Sequence, residues 1–124
     1  MALIVVVDDE FLLADYLASL LIDEGHEVVT AAHGRAGLQL IRERKPALLI
    51  TDFMMPLMTG LELAQAIAAD AELADIPIIL VTGGQGLMAR DYGNLFDEIF
   101  DKPYDHNLMI EAVQRLTSTP RNER

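Results

Sequence analysis

Residues 3–10 read LIVVVDDE, an apolar run with four β-branched members that ends abruptly in Asp8, Asp9 and Glu10. Carboxylates crowded at the end of a buried strand repel one another, and partial desolvation makes that repulsion worth several kcal/mol. A compensating cation is therefore expected. Other apolar runs end in groups of matching chemistry: ALLIT is followed by Asp52, IILV by Thr82 and IFD by Lys102. Asp8, Asp9 and Asp52 offer the hard oxygen ligands that Mg²⁺ prefers, with bound water completing an octahedron. Lys102 offers a point charge for a phosphoryl oxygen and Thr82 a hydroxyl donor for another. Asp52 is then left as the nucleophile. A carboxylate attacking phosphorus gives an acyl phosphate, and the protein has mainly to position the reactants and spread the charge.

For these residues to meet, their strands must end side by side, and the hydrophobic pattern provides for that. Residues 3–7 form a continuous apolar run, as expected of a strand covered on both faces. Leu13, Leu17, Leu20 and Leu21 recur at helical spacing over 11–24, and Gly25 stands where that helix should stop. The same alternation gives strands at 26–31, 47–51 and 78–81, a short last strand around Ile99 and Phe100, and helices at 35–44 and 61–69. A final helix capped by Asp105 carries Leu108, Met109, Ala112, Val113 and Leu116. The pattern predicts five β/α units in an α/β fold: a doubly wound, five-stranded parallel sheet of flavodoxin-like (βα)5 type, with helices on both faces. Ligands bind such sheets at the carboxyl ends of the strands. Glycines between Gly83 and Asn94 weaken the fourth helix.

Composition excludes several kinds of chemistry. A chain of 124 residues, 52% of them hydrophobic, suits one domain with a single core. We place that domain at residues 1–118, with 119–124 as a polar tail or the start of a linker. The net charge of −11 repels phosphate backbones and anionic lipid, so no direct nucleic-acid binding is expected. With no cysteine, disulfides, thiolate zinc sites and thiol catalysis are ruled out. The N-terminal apolar run is too short for a signal peptide, and no run is long enough for membrane insertion, so a cytoplasmic location is expected.

Taken together, DDE at 8–10, TDFMMPLMTGLEL at 51–63, VTGG at 81–84 and DKP at 101–103 resemble the receiver domain of two-component response regulators. The resemblance runs from Leu3 to about Leu116. It implies a phosphorelay signalling domain in which Asp52 is the phosphoacceptor, supplied by a sensor histidine kinase or a phosphotransfer protein and read by a downstream effector protein or domain. It further implies that Asp9 binds Mg²⁺ directly, Asp8 largely through water and the backbone carbonyl of Met54 as a further ligand. Thr82 and Lys102 would hold phosphoryl oxygens, and the Lys102–Pro103 bond would be cis. Ile99 stands where receivers commonly carry an aromatic, with Phe100 on the opposite strand face. No effector domain follows Leu116, which leaves a stand-alone receiver or part of a longer regulator.

Each residue also has a plainer reading. Glu10 reads as a solvated helix start, Asp52 alone as a turn former, Thr82 as a strand-end hydroxyl and Lys102 as a surface charge. His26, His33 and His106 read as surface residues without a role, and the methionines, including Met54, Met55 and Met58, as packing and loop filler. Two other functions compete with the receiver reading. One is a receiver-like docking module that is never phosphorylated. The other is a phosphohydrolase with an Asp nucleophile, against which stands the lack of a second aspartate two residues after Asp52. The receiver reading makes the chain no enzyme beyond its own phosphorylation and dephosphorylation.

Overall fold

The computed structural model describes residues 2–84 and 90–118. The elements run β1 (Leu3–Val7), α1 (Phe11–Asp23), β2 (Glu27–Ala31), α2 (Gly34–Arg44), β3 (Leu48–Asp52), α3 (Gly60–Ala68), β4 (Ile78–Thr82), a 3₁₀ turn (Gly93–Leu95), β5 (Glu98–Asp101) and α4 (His106–Ser118). All strand pairs are parallel, in the order β2-β1-β3-β4-β5. The expected doubly wound sheet is therefore formed. The weak fourth helix was expected in a stretch that includes residues 85–89, which lie outside the described residues, as does the tail expected at 119–124.

Alternation along the strands explains why they read as unbroken apolar runs. Val5, Val7, Leu49, Ile78 and Leu80 face α2 and α3, packing on Leu38, Ile41, Leu63 and Ile67. Their neighbours Ile4, Val6, Leu48, Ile50, Ile79 and Val81 face α1 and α4, packing on Leu17, Leu21, Met109 and Val113. Both faces of the central strands β1, β3 and β4 are covered, so they are almost wholly apolar until they end, whereas the edge strand β2 carries exposed Glu27 and Thr30. Ile99 packs in the first layer and Phe100 in the second, as the alternation predicts.

Local signals fix the helix ends. Thr59 and Glu62 form a reciprocal capping box at the start of α3. His33 caps α2, its Nδ1 accepting from the Ala36 N–H at 3.2 Å, which gives this histidine a role that the sequence did not suggest. Asp105 Oδ1 accepts from the N–H groups of Asn107 and Leu108 at the start of α4, as expected. No helix among the described residues is long and apolar enough to cross a membrane.

His26 departs from its expected place on the surface. It lies half-buried between α1 and β2, and neither ring nitrogen has a hydrogen-bond partner among the described residues. Desolvation pushes its pKa below the ordinary 6.5. The unfolded chain then takes up a proton that the folded one resists, so stability falls as pH drops below about 6.5. In urea unfolding, the advantage of His26→Leu over the wild type should grow from about pH 8 to about pH 5. An offset between the two proteins that is independent of pH would contradict this.

Candidate functional site

The strand order β1-β3-β4-β5 sets the candidate residues along one edge. Val7 pairs with Thr51, Asp52 with Val81 and Val81 with Phe100, so Asp8 and Asp52 emerge level from adjacent strands, while Lys102 follows β5, one strand beyond β4, two residues past that level. Asp8 continues the face of Ile4 and Val6, Asp52 that of Leu48 and Ile50, and Lys102 that of Phe100. All three therefore project on the α1/α4 side.

Carboxylate oxygens of Asp8, Asp9, Glu10 and Asp52 lie within 4.8 Å of one another. Asp52 is buried, whereas Asp9 and Glu10 are exposed. The Lys102 ammonium lies 3.3 Å from Asp52 Oδ1, 3.6 Å from Glu10 Oε1 and 3.8 Å from Asp8 Oδ2. Glu10 thus joins the cluster, where the sequence suggested only a solvated helix start. Its backbone N–H also donates to Asp8 Oδ1 at 2.9 Å, holding that carboxylate in place. One ammonium cannot neutralise four carboxylates. Burial pushes Asp8 up to about 6, the Glu10 N–H only partly opposing it. Burial also raises Asp52 against the pull of Lys102. Desolvation alone would lower Lys102, but Asp52, Asp8 and Glu10 together raise it. The uncompensated oxygen donors fit a divalent cation such as Mg²⁺.

Proton and cation should therefore compete for Asp8. A carboxylate with a raised pKa binds metal without hindrance above that value and must lose a proton to bind it below. We expect Mg²⁺ affinity to be level above about pH 7 and to fall roughly tenfold per pH unit below about 6. Calorimetric titration across pH will test this: Asp8→Asn should bind more weakly with a flatter profile, and an equally steep profile in that variant would assign the proton elsewhere.

Several other residues have definite places. Thr82 is fully buried, and its hydroxyl donates to Asp101 Oδ1. It continues the face of Ile78 and Leu80, opposite to that of Asp52 and Lys102, so the hydroxyl is engaged away from the acid cluster. The Met54 side chain is exposed on the loop after β3, whereas Met55 is buried. Pro56 and Leu57 carry that loop round, Leu57 with φ +70°, to Gly60, whose N–H donates to Phe53 O at 2.8 Å. The Lys102–Pro103 peptide bond is cis, as the resemblance implied. A cavity of about 560 Å³ runs from Asp8, Asp52 and Lys102 along Leu13, Tyr16 and Tyr104. Sequence reasoning gave no site role to Glu10, Asp101 or Tyr104; the first two lie within the DDE and DKP motifs, but their contacts depend on strand order and register.

This fold is that of a known class. The response regulator receiver domain family matches residues 4–114, and the chain belongs to it. It is 31% identical to the protein PilH of Pseudomonas aeruginosa, over 94% of this chain and 98% of PilH. It is 37% identical to the phosphate regulon transcriptional regulatory protein PhoB of the same organism, over 92% of this chain but only 52% of PhoB. Among solved structures, the chemotaxis response regulator CheY4 of Vibrio cholerae superposes with a TM-score of 0.85 at 27% identity, covering 94% of this chain and 98% of that one. The chain is thus a two-component signalling domain.

Proposed function

We propose that Asp52 is the phosphoacceptor of this receiver and that Asp8, Asp9 and the Met54 carbonyl join it in holding Mg²⁺. The approach of the Lys102 ammonium to Asp52 at 3.3 Å carries the reading, because a phosphoryl oxygen borne by Asp52 would have that cation beside it. An Asp52 carboxylate oxygen attacks the phosphorus of a phosphohistidine. The bond from phosphorus to the imidazole nitrogen breaks, and the freed nitrogen keeps the electron pair and takes a proton from water. Lys102 then pairs with a phosphoryl oxygen, and Thr82 donates its hydroxyl to another once that hydroxyl turns from Asp101. The cation, when bound, neutralises charge on the oxygens of both reactants. Glu10, also in contact with Lys102, keeps that ammonium at the mouth of the site.

The donor is a sensor histidine kinase or a phosphotransfer protein, and an effector protein or domain reads the result, in the cytoplasm. Exposed Phe11 and Leu12 follow the acid cluster, exposed Met54 and Leu57 follow Asp52, and exposed Leu108 lies in the first turn of α4. Such apolar side chains bordering the site suit a docked protein better than a small substrate. The chain would be a signalling partner that reacts once per phosphoryl group rather than an enzyme that turns over a separate substrate.

Incubation with acetyl phosphate and Mg²⁺, followed by intact-mass analysis, tests the reading. A single acid-stable, base-labile phosphoryl adduct is expected, forming far more slowly without Mg²⁺. A docking module would give no adduct, and a phosphohydrolase would release phosphate over many turnovers.

A further inference from the structure

The Thr82 hydroxyl has one proton to give, and in this structure Asp101 receives it. We propose that Asp101 is a positioning residue that holds this hydroxyl off the phosphoryl site and thereby sets how readily the site accepts a phosphoryl group. The inference rests on the reading of Thr82 as a donor to a phosphoryl oxygen. Three observations carry it. Thr82 and Asp101 are register partners on β4 and β5, and the Lys102 N–H donates to Thr82 O at 2.7 Å, so the backbone fixes hydroxyl and carboxylate face to face. Thr82 is wholly shielded from solvent, so its hydroxyl must be satisfied by protein or ligand. Asp101, in contrast, is exposed, so water can take over as its partner once the hydroxyl turns away.

The contact is thus firm on the Thr82 side and releasable on the Asp101 side. Asp101 and an incoming phosphoryl oxygen are both anionic acceptors, and the hydroxyl serves one at a time. Binding at the phosphoryl site is weakened by whatever the Thr82–Asp101 bond contributes to the resting state.

The test is a cycle of four proteins: wild type, Asp101→Ala, Thr82→Val and the double variant. Each is titrated with beryllofluoride in saturating Mg²⁺ and followed by amide resonances, since the chain has no tryptophan. Asp101→Ala should bind about tenfold more tightly than the wild type, the scale of one charge-assisted hydrogen bond. The double variant should lose that gain and match Thr82→Val. This second comparison removes the plain electrostatic benefit of deleting an anion near an anion site, which would survive without the hydroxyl. Asp101→Asn, which keeps an acceptor oxygen but not the charge, should fall between wild type and alanine and covers any folding defect of the alanine variant. If Asp101→Ala gives no gain, or the same gain with valine at 82, Asp101 does not position the hydroxyl, although Thr82 can still be the phosphoryl donor. If Thr82→Val changes nothing in either background, the reading of Thr82 falls and the inference with it.

Discussion

Replacing Asp52 with asparagine should abolish the phosphoryl adduct while leaving the protein as stable as the wild type or more so. The loss follows from chemistry: an amide oxygen is too poor a nucleophile towards phosphorus, and a drop in rate of at least about a thousandfold is expected. The gain in stability follows from the site. Burial raises the pKa of Asp52 above its ordinary value even with Lys102 beside it, so the folded state disfavours the ionised form. A group of this kind costs stability above its folded pKa and costs nothing where it is protonated in both states. The Asp52→Asn variant should therefore melt higher at neutral pH, and its advantage should vanish in acid. Lys102 keeps Glu10 at 3.6 Å and Asp8 at 3.8 Å. Intact-mass analysis with acetyl phosphate, together with thermal unfolding at two pH values, checks both halves. An adduct persisting in the variant would refute Asp52 as acceptor, and a lower melting temperature at neutral pH would show that its carboxylate is favourable to the fold.

The second large effect is expected at a residue with no chemistry of its own. A methyl group added at Gly60 would lie 2.3 Å from the backbone oxygen of Asp52 and 3.1 Å from its carbonyl carbon, with Leu80 Cδ1 at 3.0 Å. Backbone cannot step aside as the end of a flexible side chain can, so either α3 lifts away from β3 or the end of β3 moves. Helix propensity alone would favour alanine at this first position of α3 by up to about 1 kcal/mol. Any net loss is therefore a measure of the clash. We expect Gly60→Ala to cost about 2 to 4 kcal/mol, typical of overpacking at a tight contact. Phosphorylation should slow as well, because the displaced segment carries Asp52 and its spacing to Lys102. Urea unfolding and phosphorylation kinetics on the same preparation will test this; wild-type values for both would show that the contact relaxes at no cost.

The part of the site legible in the sequence was the part that depends on residue type and strand ends. Apolar runs ending in Asp8, Asp52, Thr82 and Lys102 could be read directly, because the central strands are covered on both faces and stay almost wholly apolar up to their last residues. Glu10 stands exposed at the start of α1, as its reading as a solvated helix start expected; its further contact with Lys102, brought in from β5, depends on strand order and could not be read locally. His26 was placed on the surface because the shielding of its ring nitrogens arises only in the folded chain.

By itself, then, the sequence determined the alternation of strands and helices, the parallel sheet and the acidic, phosphoryl-suited character of its carboxyl edge. These follow from local periodicity and from the cost of burying polar groups. Only the tertiary structure decided which of these polar groups touch. Register between β4 and β5 pairs Thr82 with Asp101, strand order places Lys102 among Asp52, Glu10 and Asp8, and the close passage of α3 over β3 requires glycine at 60. Those contacts join residues far apart in the chain, and they are set by how whole elements pack rather than by any local preference.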